Sequence, residues 1–102
     1  MKLSKETGFF GPGAAQLLKL VESTGSIRSA CQLMHMSYSK GWKMINLIEQ
    51  QLGYSILIRH AGGLNGGNSE LTDEGRLFLN KYLSFEEESK LSVQQLFYQY
   101  FI

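Results

Sequence analysis

Cysteine is almost missing from this chain: Cys31 is the only one in 102 residues. No internal disulfide can form, which excludes a secreted scaffold held by cross-links. Proline is equally scarce, and the single Pro12 falls in a Gly11-Pro12-Gly13 turn. No apolar run approaches the roughly 20 residues that span a bilayer. The opening Met-Lys-Leu-Ser-Lys-Glu-Thr-Gly lacks the apolar core of a signal peptide. A reducing cytoplasm is the expected setting, with no membrane partner. Reactive chemistry is missing too. No paired carboxylates, Cys/His or Ser/His/Asp groups stand at a recognisable spacing, and Glu86-Glu87-Glu88 reads as a solvated helix turn. His35, His60 and Cys31 have no familiar metal-ligand spacing. The glycine-rich 61–69 segment contains no Gly-Lys-Ser/Thr and no Gly-x-Gly-x-x-Gly opening a helix, which argues against a nucleotide cradle. Neither enzyme activity nor a cofactor is therefore expected.

Excess charge is also lacking, since the net value is only +1. As a whole-chain figure this is poor support for a nucleic-acid partner. Its distribution says more. Residues 26–63 carry Arg28, Lys40, Lys43 and Arg59 against Glu49, a net +3, whereas residues 64–102 carry a net −3. One half can face phosphate while the other faces solvent or protein. Apolar residues make up 43% of the chain, enough for one folded domain with a modest core.

The stretch 26–52 organises the rest. Two helical patterns lie about three residues apart, each opened by a serine, Ser26 and Ser37, that can cap a helix N-terminus. This is the layout of a helix-turn-helix. In the first of the two, Ile27, Ala30, Cys31 and Met34 share one side, with Cys31 expected as a small core residue. His35 occupies the turn, where a left-handed residue is often required and histidine tolerates one. In the second, Trp42, Ile45, Ile48 and Leu52 recur at helical spacing and are expected to face the core. Ser39, Lys43, Asn46 and Gln50 fall opposite, with Lys40 nearby. Exposed lysines usually mean only a solvated face. On the second helix of a helix-turn-helix they can also reach bases and phosphates in a major groove.

An earlier helix is expected over 12–23, with Leu17, Leu18, Leu20 and Val21 buried and Gly25 closing it in the left-handed region. Residues 1–10 read as a short strand or a loose arm. Residues 54–60, rich in β-branched and aromatic types, suit a strand. A loop over 61–69 with four glycines follows, and Glu70-Leu71 can return as a brief second strand. Thr72 then caps a helix with Asp73 and Glu74 in its first turn. Phe78, Tyr82, Phe85, Ser89, Val93, Leu96 and Tyr100 continue it as a near-heptad stripe. A capping box at 84–87 leaves a break near Ser84 as an alternative to one long helix. The expected fold is mainly α with a small β wing. Residues 1–83 form a winged helix-turn-helix and residues 84–102 a C-terminal helix that dimerises, the alternative being that this helix packs back on the first.

Taken together, Gly11-Pro12-Gly13, Leu17-Leu18, Gly25-Ser26-Ile27, Ala30, Met36-Ser37-Tyr38, Trp42, Gly62-Gly63, Gly66-Gly67, Leu71-Thr72 and Gly75 resemble the N-terminal domain of the molybdate-dependent ModE regulators. That domain is itself similar to the DNA-binding domain of LysR-type regulators. The resemblance covers about 11–83. It implies a dimeric winged helix that controls transcription by binding a palindromic duplex site. The helix from Ser37 would lie in the major groove, with the glycine-rich loop as wing on the backbone or minor groove. Carried over, the DNA-binding candidates are Ser37, Tyr38, Ser39, Lys40 and Lys43, with Arg28, and with Arg59 and Asn65 at the wing. The chain also departs from the family. His35 stands where glycine is common, Ser39 where a basic residue is frequent, and Cys31 and Gly41 where alanine is usual. Gly41 inside a helix is expected to cost about 1 kcal/mol relative to alanine. The molybdate-binding domains that would follow are not in this sequence and no oxyanion pocket is evident, so molybdate is not expected to bind it. A winged helix used for protein contact without DNA is the competing reading, favoured by the small net charge and the Phe/Tyr-rich C-terminus.

Overall fold

The computed structural model describes residues 10–60 and 68–102. The strand-or-arm expectation for 1–10 and most of the glycine-rich loop lie outside them. Six elements follow in order: α1 (Pro12–Thr24), α2 (Ile27–Leu33), α3 (Tyr38–Leu52), β1 (Leu57–His60), β2 (Asn68–Leu71) and α4 (Asp73–Phe101).

Each helix start is set by a local device. Pro12 opens α1, where its missing N–H would have had no intrahelical partner anyway. Ser26 Oγ accepts from the Ser29 N–H at 3.1 Å to cap α2, and Ser37 Oγ accepts from the Lys40 N–H at 3.1 Å to cap α3. Gly25 ends α1 at φ 76°. His35 adopts φ 56° in the turn between α2 and α3, as expected of that position. The Met36 N–H returns to the Cys31 carbonyl at 3.0 Å and closes the turn.

The core lies where α1, α2 and α3 cross, with Leu17, Leu18, Val21, Ile45, Ile48, Ile56 and Leu79 fully or almost fully buried. The buried face of α3 is Gly41, Ile45 and Ile48. Trp42 does not belong to that face. It sits half-buried at the rim, as does Leu52, each packed against the core from its edge. The reason is steric. Cys31 is buried in α2, and a Cβ placed on Gly41 would collide with its sulfur. The helices meet there because Gly41 has no side chain, and Trp42, one residue on, is turned about 100° away.

β1 is shorter than the 54–60 run suggested. The Glu49 carboxylate accepts from the N–H groups of Ile56 at 2.8 Å and Leu57 at 3.4 Å, which ties the strand entrance to α3. β1 and β2 are antiparallel, pairing Leu57 with Leu71 and His60 with Asn68. β2 is held on its other side as well, where the Ser69 N–H donates to the Gly25 carbonyl at 2.7 Å. The wing root is thereby fixed to the start of the helix-turn-helix. Strand alternation places Arg59 on the same side as buried Leu57, and Ile58 and His60 on the outer side. There His60 Nε2 meets Glu70 Oε2 at 2.7 Å.

α4 is pinned at its N-terminus. Thr72 Oγ1 accepts from the Gly75 N–H at 2.9 Å and donates to the Ser55 carbonyl at 2.8 Å. Arg76 Nε reaches Glu22 of α1 at 2.8 Å, and this contact raises the guanidinium pKa. The rings of Phe78 and Tyr82 each lie 4.8 Å from Phe10, edge to face. α4 then runs on without a break at Ser84. From residue 84 onward every side chain is exposed or half-exposed, so this segment does not pack back on α1. The molecule is elongated accordingly, 57 × 29 × 23 Å. Among the described residues no helix is long and apolar enough to cross a membrane.

Candidate nucleic-acid interface

α3 presents its polar side outward because its apolar side is taken by Ile45 and Ile48. Ser37, Tyr38, Ser39, Lys40, Lys43, Asn46 and Gln50 are all exposed along it. Ser37 is there as a cap: its oxygen is committed to the Lys40 N–H, though its hydroxyl proton remains available to an acceptor. Lys40 and Lys43 form no ion pair with any described residue. They sit within the first two turns of the helix.

A second group of candidates is gathered beside them. The Arg28 guanidinium of α2 lies over the Tyr38 ring, 4.4 Å from its centroid. The Tyr38 ring meets the Trp42 ring edge to face, at 6.2 Å and 89°. The Arg59 guanidinium of β1 lies over the Trp42 ring at 4.3 Å. Two arginines from different elements thus flank an aromatic pair on α3. A cation–π contact uses none of a guanidinium's N–H donors as a hydrogen bond to a carboxylate, and those donors are the groups that bind phosphate or guanine edges.

Sequence reasoning reached Arg28, Tyr38 and Arg59 one at a time. It did not foresee that they form one strip, and it assigned Trp42 to the core. The available signal was the spacing of Tyr38 and Trp42: residues four apart lie on one side of a helix. Asn65 falls outside the described residues. Among the described residues no three His, Cys, Asp or Glu side chains gather as a metal site. Cys31 is buried, and that burial pushes its thiol pKa up, which disfavours the thiolate that reactivity requires.

A helix-turn-helix whose second helix is exposed, followed by a two-stranded wing rooted on the same body, defines a winged helix-turn-helix domain. Residues 13–76 match the family described as bacterial regulatory helix-turn-helix protein, lysR family, and the chain belongs to that family. It is a family of regulators rather than of enzymes. The ModE resemblance also holds. The molybdenum transport protein ModE of Azotobacter vinelandii is 32% identical over 81 residues, covering 79% of this chain and 30% of that protein. The transcriptional regulator ModE of Yersinia pestis is 36% identical over 75 residues, covering 72% and 28%. The chain therefore spans just under a third of these relatives' length. Among solved structures, a CbnR_DBD–DNA complex superposes with a TM-score of 0.65 at 22% identity, covering 81% of this chain and 90% of that one. At that identity the likeness establishes the fold.

Proposed function

We propose that this chain binds duplex DNA in a sequence-specific manner as a transcriptional regulator. In this reading α3 lies in the major groove and the wing follows the backbone or minor groove. The observation that carries it is the outward side of α3. Lys40 and Lys43 pair with no carboxylate among the described residues, and they adjoin the Arg28–Tyr38–Trp42–Arg59 strip. Lys40, Lys43, Arg28 and Arg59 supply the phosphate contacts, together with Ser37 and Tyr38 at the helix start. Ser39 and Lys43 are placed to reach base edges, and Asn65 is assigned to the wing. The relatives support the same reading: ModE is named a transcriptional regulator, and the CbnR domain was solved with DNA. The cytoplasm is the matching compartment. The molybdenum in one relative's name stays with that protein.

Dimerisation through residues 84–102 belongs to the same proposal. Phe85, Val93, Leu96, Phe97, Tyr100 and Phe101 are each at least half exposed on α4. Contiguous apolar surface of this kind marks a partner interface, and the near-heptad spacing suits a second copy of the same helix. The same surface favours a protein-contact module as the second reading.

A salt titration separates the two. Wild-type protein is expected to retain a labelled duplex at low salt, with log K falling linearly against log salt. In Lys40→Ala/Lys43→Ala the slope should flatten by up to about 1.8, the contribution of two phosphate contacts. A protein adaptor would show no retention at any salt, and an unchanged slope in the double variant would remove α3 from the interface.

A further inference from the structure

We propose that Trp42 is a positioning residue that locks the wing arginine, Arg59, to the recognition helix, so that wing and helix engage phosphate as one unit. The inference rests on the DNA-binding reading above and extends it to a residue that touches no DNA itself.

Arg59 comes from β1 and carries a flexible side chain on an exposed strand. No described carboxylate pairs with it. Left to itself, such a side chain would lose much rotamer freedom on binding a phosphate. Trp42 removes part of that loss in advance. Its indole face sits 4.3 Å under the guanidinium, and the indole is in turn braced against the core and by its T-shaped contact with Tyr38. Tyr38 carries Arg28 on its ring at 4.4 Å, so both arginines are held by one aromatic pair. The three links cap the separation of the two guanidinium carbons at about 15 Å. Among the described residues neither guanidinium is paired with a carboxylate, so each keeps N–H donors for phosphate. The rim position of Trp42 is explained on the same terms: a fully buried indole could not offer a face to the wing.

The test uses the full chain and a labelled random-sequence duplex, with binding followed over a salt series. Arg59→Ala and Trp42→Leu are each expected to weaken low-salt binding by about three- to ten-fold. The double variant should be no worse than the weaker single one, because each change breaks the same device. Trp42→Phe, which keeps a ring face, should recover most of the loss. In Trp42→Leu the salt slope should fall by up to about 0.9 although no charge has been removed, because Arg59 no longer settles on its phosphate.

Multiplying effects in the double variant, or a Trp42→Phe as weak as Trp42→Leu, would overturn the inference while leaving DNA binding intact. A wild-type protein that retains no duplex would overturn both. A readout without DNA covers the case in which Trp42→Leu does not fold. Trp42 is the single tryptophan, and acrylamide should quench its fluorescence more readily in Arg59→Ala than in wild type. Equal quenching would show that Arg59 does not cover the ring.

Discussion

Cys31 and Gly41 meet across the contact between α2 and α3, and each explains the other. Relative to the alanine that the family resemblance leads one to expect at both positions, one side chain is larger and its neighbour has none. By helix propensity alone, Gly41→Ala should stabilise the protein by about 1 kcal/mol. The structure predicts the opposite sign. A Cβ at 41 would run into the sulfur of Cys31, which is 1% exposed. Overpacking of this kind costs about 1–3 kcal/mol, enough to outweigh the propensity gain. Urea denaturation should therefore show Gly41→Ala destabilised. Cys31→Ala/Gly41→Ala should be more stable than the sum of the single effects allows, because the second change vacates the space the first one needs. Additive effects would mean the two residues do not compete for the same volume. From the sequence, Gly41 looked like a weak point in a helix. Its role became visible only once a residue ten positions earlier was placed against it.

The elements were legible to different degrees, and the differences follow from how far away their determinants lie. The caps of α2, α3 and α4 were readable because each is a bond between residues three apart. The φ 56° of His35 was readable because a helix-turn-helix corner calls for it. In the buried stripe of α3, Ile45 and Ile48 were legible, but the turn before them was assigned to Trp42, since Gly41 carries no apolar side chain to mark the start of the series Gly41, Ile45, Ile48. The length of β1 was not readable, because its entrance is set by a carboxylate seven residues earlier in another element. The junction of α4 with the wing is similar. Leu71-Thr72 and Gly75 looked like a family signature, and the structure supplies the mechanics. Thr72 bridges the helix start to the Ser55 carbonyl, and a Cβ on Gly75 would stand 2.5 Å from the Ile56 carbonyl oxygen. Unlike a side-chain end, that backbone oxygen cannot turn aside. Gly75→Ala is expected to destabilise the fold by about 2–3 kcal/mol and to loosen the wing root, with faster amide exchange at Thr72, whose N–H donates to Ile56. Unchanged stability and exchange would mean that α4 does not press on the strand entrance as described.

At the scale of the molecule, a compact helical body carries a basic outward strip, and α4 extends away from it. A helix of 29 residues is about 43 Å long, and its second half lies beyond the body that anchors its first turns. Because Leu96 and Tyr100 are exposed in the single chain, changing them should spare the fold and act only on association. Leu96→Glu/Tyr100→Glu is expected to shift sedimentation from dimer to monomer with little change in melting temperature, and to weaken binding to a two-half-site duplex. A variant that stays dimeric would place the interface elsewhere. The proposal joins these scales: α3 reads a half-site, the wing arginine holds its phosphate, and α4 supplies the second copy. Selection of bound sequences from a random duplex pool tests that most directly. The account predicts enrichment of a two-fold symmetric motif, its half-sites spaced by about one helical turn or a multiple of it, and loss of enrichment in Lys40→Ala/Lys43→Ala. A wild-type protein that enriches no motif, or a double variant that enriches the same one, would contradict it.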